Sequence, residues 1–266
     1  MPAFAPTPAA RHLLACLLLT GAALVTAFAL PASAHAGEGI TIHINTNWGG
    51  KGIEGSRKLV TVARTIPAFT AVRVEGPIEL TLHTAAQPSL SVRAEDNLEP
   101  LIETLMDGQT LLVRVKKSVS LNAHEALRVT AATPQLGRAE IQGSGDIRIE
   151  DLSGPSFVAS ISGSGDLRLE RAKLGRLEAS IAGSGDVWLS GQADSARYAI
   201  AGSGDLHAGD LAGKDVSVSI SGSGDALVQA TASLDASIAG SGDIRYRGNP
   251  TRVSRSIAGS GSIERQ

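Results

Sequence analysis

The sequence predicts an all-β protein: a parallel β-solenoid with rungs of about 20 residues, preceded by a strand-rich N-terminal β region. Three observations predict it. A Gly-Ser-Gly corner recurs seven times, with its first glycine at Gly143, Gly163, Gly183, Gly202, Gly222, Gly240 and Gly259, so the spacing is 18–20 residues. Isoleucine stands two positions before each of them, at Ile141, Ile161, Ile181, Ile200, Ile220, Ile238 and Ile257. Apolar and polar residues alternate on both sides of the corner, the period-two pattern of a half-buried strand.

In the inbound strand Leu177, Ala179 and Ile181 share one face, while Glu178 and Ser180 share the other. Val216, Val218 and Ile220 repeat this, as do Leu234, Ala236 and Ile238. After the corner Ile147 and Ile149 point inward between Asp146, Arg148 and Glu150, and Leu167 and Leu169 match them one rung on. Each rung therefore reads as an inbound strand, a corner, an outbound strand and a variable return loop. Glycine suits a tight bend that calls for positive φ, and stacked corners about 4.8 Å apart favour small side chains. An antiparallel meander with a hairpin at each Gly-Ser-Gly is the alternative. Hairpins tolerate unequal strands, whereas stacked coils require the near-equal perimeters seen here. A leucine-rich repeat could share the period, but its leucine and asparagine positions are absent here, and a helical repeat is excluded by the β alternation and the glycine content.

The final unit departs from the rule. Arg255 takes an inward position between Val253 and Ile257, and Ser262 replaces the corner aspartate. This is expected to cap the array, since an uncovered rung exposes unpaired edge groups.

Residues 1–36 read as a signal peptide. Arg11 and His12 precede an apolar run from Leu13 to Leu30, and Ala34-His35-Ala36 offers a cleavage site. The run is near the lower length limit for a membrane anchor, and no membrane span is expected once the signal is removed. Cys16 follows only three apolar residues, an unsuitable place for lipid attachment, and the mature chain then has no cysteine and no disulfide. Residues 37–58 form a glycine-rich lead with one short alternating stretch at residues 40–44.

Residues 59–133 make the N-terminal β region, with strands at Val60-Val62, Val72-Val74, Ile78-Leu82, Leu90-Val92, Leu111-Val115 and Leu127-Val129. A short helical turn is expected within residues 97–105 and a tight turn at Asp107-Gly108. The region either closes the N-terminal end of the solenoid or continues the coil irregularly. Residues 134–266 are the repeat solenoid.

Aromatic residues are 3% of the chain and hydrophobic ones 42%, so the core must be built from Ile, Val, Leu and Ala. Without residues 1–36 the chain has 23 basic and 26 acidic residues, which gives no electrostatic reason to expect a nucleic-acid partner.

The Ile-x-Gly-Ser-Gly-Asp corners, preceded by Phe69-Thr70-Ala71-Val72-Arg73-Val74 and the Asp107-Gly108 turn, resemble the autotransporter-adhesin head GIN-domain family. The resemblance covers roughly residues 60–262. It implies a β-helical fold, export and a cell-envelope location, and it offers no catalytic residues to carry over.

Two ladders are the candidate sites. Asp146, Asp166, Asp186, Asp205, Asp225 and Asp243 stack at the rung spacing. They read first as turn caps and second as a calcium ladder. Calcium solenoids, however, place an aspartate turn about every nine residues. The outward positions beside the isoleucines are small: Ser160, Ser162, Ser180, Ser219, Ser221 and Ser237, interleaved with alanines. They form a flat uncharged strip, either plain exposed strand or a docking face for a second copy, another protein's sheet or a glycan. Glu150 and Glu170 occupy equivalent positions but are flanked by Arg148 and Arg168, which reads as a solvated charge lattice. His43, His83, His124 and His207 have no metal-ligand spacing, and the outward Trp188 reads as surface cover or a lone sugar platform. No catalytic residue, cofactor or metal is assigned. The function expected is a non-enzymatic envelope protein presenting a rigid interaction surface; the alternative is a carbohydrate-binding or carbohydrate-active β-helix.

Overall fold

The computed structural model describes residues 52–266. The signal segment and the alternating stretch at residues 40–44 lie outside the described residues. In chain order the first strands are β1 (Ile53–Glu54), β2 (Leu59–Arg64), β3 (Ala71–Glu75), β4 (Ile78–Thr84), β5 (Ser89–Glu95), β6 (Ile102–Asp107), β7 (Thr110–Val115), β8 (Leu121–Asn122) and β9 (Leu127–Thr133). One 3-10 turn, Glu99–Leu101, lies between β5 and β6. The repeat supplies β10 (Arg138–Gly143), β11 (Asp146–Glu150), β12 (Ser153–Gly163), β13 (Leu167–Gly183), β14 (Val187–Gly202) and β15 (Leu206–Gly222). It ends with β16 (Ala226–Gly240), β17 (Ile244–Arg247), β18 (Arg252–Gly259) and β19 (Ile263–Arg265).

The protein is all-β, and its parallel strands form a β-solenoid of about 6 turns. Every pairing within the repeat is parallel and joins one rung to the next. The isoleucines are direct partners along the stack, from Ile141 through Ile161, Ile181, Ile200, Ile220 and Ile238 to Ile257. The first six are buried in one continuous apolar core. That column excludes the antiparallel meander, in which successive corners fall at opposite ends of the sheet.

The corner glycines are fixed by sterics. Gly183 has φ of 140°, and a Cβ there would sit 2.1 Å from the carbonyl oxygen of Gly163. That carbonyl accepts the Ser184 amide at 2.9 Å, so the corner of one rung is seated on the backbone of the last.

The return segment is more regular than a loop. Ala172 and Leu174 pair with Gly191 and Ala193, which pair with Leu211 and Gly213, forming a third short strand segment with buried side chains. The bend before it again calls for positive φ, met by Asp151 (55°), Arg171 (56°), Gly191 (123°) and Gly248 (96°).

The N-terminal region both continues and closes the coil. β3 and β4 supply an inbound and an outbound strand bent at Gly76, on which β10 and β11 stack in parallel register. On its other side β7 pairs with β3 and β9 with β4, both still parallel. The closing strands β2, β5 and β6 are antiparallel to their neighbours. The helical turn appears as Glu99–Leu101, but the residues after it are strand β6, joined to β7 by the expected tight turn at Asp107-Gly108. Arg64 fastens this end: its guanidinium meets Glu99 Oε1 at 2.5 Å and donates to the Ile102 carbonyl at 2.6 Å.

The C-terminal rung differs from the expected cap. Val253 and Ile257 are 40% and 46% exposed, against at most 3% for the six earlier isoleucines. No described strand lies over them. Arg255 does occupy the inward column, opposite Ala236, where its guanidinium covers the ring of Tyr246 and donates to the phenol oxygen.

Candidate interaction surfaces

The small outward residues form two straight columns, as their spacing predicts. Ser160, Ser180, Ala199, Ser219, Ser237 and Ser256 are successive partners. Ser162, Ala182, Ala201, Ser221, Ala239 and Ala258 run beside them. Alternation fixes their direction: with the intervening residues Ile161, Ile181, Ile200, Ile220 and Ile238 buried in the core, these side chains face out. Nothing in either column is larger than serine. The strip is bounded at its N-terminal end by Glu140 and Gln142, with Arg73 Nε donating to Glu140 at 2.8 Å.

The corner aspartates also stack, and each does one identifiable job. Oδ1 of Asp146 accepts the amide of Asp166 at 3.0 Å. Oδ1 of Asp166 accepts that of Asp186 at 3.0 Å, and the series continues through Asp205, Asp225 and Asp243. Each carboxylate thus caps the next rung. At the end of the ladder both the amide and hydroxyl of Ser262 donate to Asp243, and they hold its carboxyl below the usual range. At the other end burial, joined by repulsion from Asp166 and Glu79, pushes Asp146 upward against the stabilising Asp166 amide. Among the described residues no group of three or more His, Cys, Asp or Glu side chains is arranged to hold a metal ion.

Glu150 and Glu170 are direct partners in register, yet both are engaged by arginine. Arg148 reaches Glu170 at 2.6 Å and Glu150 at 3.2 Å. Arg171 clamps Asp151 through two bonds at 2.7 and 2.8 Å, and that pairing raises its own pKa. The arrangement is an ion lattice along the edge of the rungs.

Trp188 is not alone. Arg168, Trp188 and His207 are consecutive partners, so the arginine lies on one side of the indole and the histidine on the other. The guanidinium carbon is 4.9 Å from the indole centroid, and the imidazole stacks at 5.1 Å with a 12° angle between planes. Both ring faces are covered, which leaves no free face on which a sugar could stack. The three line a shallow groove of about 440 Å³ together with Glu170, Asp210 and Arg247.

A polar cluster that sequence spacing does not reveal sits near β1. Glu95 is buried and accepts the amides of Arg57 at 2.7 Å and His124 at 3.2 Å. His124 Nδ1 lies 3.2 Å from the same carboxylate, and its Nε2 lies 3.0 Å from Glu54. Burial pushes the Glu95 carboxyl upward, but these donors outweigh it and hold it below the ordinary value. A side chain at Gly55 would overlap the Glu95 carboxylate, so the glycine makes room for the cluster. Its partners come from three separate strands or turns, and nothing in their local sequence foretells the meeting.

The fold and its repeats have known counterparts. A family model described as "Putative auto-transporter adhesin, head GIN domain" matches residues 68–250. A solved structure of an adhesin so described from Bacteroides fragilis is 29% identical, with a TM-score of 0.78, covering 81% of this chain and 100% of its own. A structure named as a lipid binding protein from Parabacteroides distasonis is 27% identical, with a TM-score of 0.70 and coverages of 81% and 100%. A further adhesin structure from Parabacteroides merdae shares the fold at 24% identity, a TM-score of 0.65 and coverages of 82% and 100%. No curated protein matches the chain.

Proposed function

We propose, from the premise that this chain belongs to the auto-transporter adhesin head GIN-domain family, that it is an exported, non-enzymatic cell-envelope protein presenting a rigid solenoid surface to a partner. The family supports an interaction role and an exported or surface location. No described helix is long and apolar enough to cross a membrane. The observation that carries the reading is the paired column of serines and alanines running in register over the rungs. Inter-rung hydrogen bonds hold it flat, and side chains with at most one rotor lose little entropy when another surface covers them.

The partner proposed for the strip is a second copy, another protein's sheet or an envelope glycan. Ser160, Ser162, Ser180, Ser219, Ser221 and Ser237 are its contact residues. A carbohydrate-active enzyme is the weaker reading: the carboxylates nearest in register are held by arginine, and the surface tryptophan has both faces occupied.

The test compares wild type with Ser180→Arg/Ser219→Arg for self-association by sedimentation and for retention on peptidoglycan, polysaccharides and envelope extract. The melting curve is expected to stay unchanged, because both residues are outward. Self-association or retention is expected to fall by about tenfold or more, since two guanidinium groups would stand proud of the plane. A chelator is expected to change neither result. A protein that neither self-associates nor is retained, or a double variant that behaves as wild type, would remove the strip as the docking face.

A further inference from the structure

A second surface, separate from the strip, lies at the last rungs. Charge is distributed unevenly along the solenoid. Residues 244–266 have five arginines against Glu264, a net of +4, whereas residues 52–243 have 17 basic and 24 acidic residues, a net of −7. Within this basic tip β18 pairs with β16 along one edge, and no described strand pairs along the other. In a parallel ladder alternate amide and carbonyl groups point to each side, so the outer edge offers a row of unbonded donors and acceptors.

The side chains at that edge specify what fits it. Val253, Arg255 and Ile257 continue the interior columns of Leu234, Ala236 and Ile238. From β12 to β15 the next strand covers those columns with buried apolar residues. Here a strand laid over β18 would bury a guanidinium at the middle position, at a cost of several kcal/mol if it is unpaired. An apolar strand is therefore excluded. A second copy of this tip is disfavoured too, because edge-to-edge contact brings together two clusters of the same sign. A carboxylate at the middle position removes the exclusion and pairs with Arg255.

We propose that the outer edge of β18 docks an extended segment of a partner protein, with the pattern apolar–any–acidic–any–apolar, added as one more parallel strand. The apolar residues cover Val253 and Ile257, which are the most exposed members of their columns. The acidic residue meets Arg255, and the backbone completes the ladder.

The probe is a fluorescein-labelled, end-blocked peptide, Thr-Val-Thr-Glu-Thr-Ile-Thr, beside its counterpart with lysine in place of glutamate. Fluorescence anisotropy against the intact protein is expected to show the glutamate peptide binding about tenfold or more tightly than the lysine peptide. Arg255→Glu is expected to reverse the order, and Ile257→Lys to abolish binding of both. Circular dichroism is expected to show both variants folded, since residues 253–257 cover one side of the β16 rung alone and no described strand stacks on their outer edge. Equal binding of the two peptides, or a preference that survives Arg255→Glu, would overturn the proposal. So would no binding of either peptide, or self-association of the protein that Arg255→Glu dissolves. Retention on an anionic polysaccharide with neither peptide bound would also overturn it, by assigning the tip to a glycan.

Discussion

Gly183→Ala will destabilise the protein by about 3–5 kcal/mol, far more than a methyl group costs on an ordinary surface turn. Two effects add. At φ of 140° the backbone of residue 183 lies where side chains rarely go, and the new Cβ would sit 2.1 Å from the Gly163 carbonyl oxygen. The chain cannot relieve the overlap locally, because the same carbonyl accepts the Ser184 amide at 2.9 Å and fixes the rung spacing. Moving the corner away would break the ladder to both neighbours. Urea unfolding followed by circular dichroism measures the loss; a solenoid that frays from its ends will show it as a broadened transition. Ser184→Ala beside it alters an exposed side chain and is the control, with an expected change within about 0.5 kcal/mol.

Truncating the isoleucines will separate the interior of the column from its end. Ile200→Ala is expected to cost about 2–5 kcal/mol, because the side chain is 3% exposed and rungs above and below prevent collapse into the cavity. Ile257→Ala, in the same column and register, is expected to cost less than about 1 kcal/mol, since the residue is 46% exposed. Matching losses at the two sites would mean that the last rung is covered in solution, which bears directly on the docking edge of β18.

The corner and the inward columns were readable because they tolerate little variation. Stacked glycines admit no Cβ, and the isoleucines repeat one volume at one place. The third strand segment was not readable, because its residues share no type: Ala172-Lys173-Leu174 faces Gly191-Gln192-Ala193 and then Leu211-Ala212-Gly213. The register shifts there, so periodicity blurs as well. Strand β6 was masked by Pro100 and the acidic residues that suggest a helical turn, and pairing with β7 overrides that local preference. The Arg168–Trp188–His207 stack could have been found, since each residue stands five places after its corner's first glycine. The Glu95–His124 cluster could not, because it depends on segments that only the tertiary fold brings together. Of the final rung, the charged inward position was legible in Arg255, but reading it as a cap overlooked that one arginine cannot cover Val253 and Ile257 as well.

The stacking of consecutive corners is tested most directly by an engineered disulfide between Ser184 and Ser203, which occupy the same place in adjacent rungs, in a Cys16→Ala background. Parallel rungs about 4.8 Å apart fall within the Cα separation that a disulfide spans. The account predicts that Ser184→Cys/Ser203→Cys oxidises within one chain, while Ser184→Cys/Ser223→Cys, two rungs apart, stays reduced. Free thiols in the first pair under oxidising conditions, or bridges only between chains, would place neighbouring corners apart and contradict the solenoid.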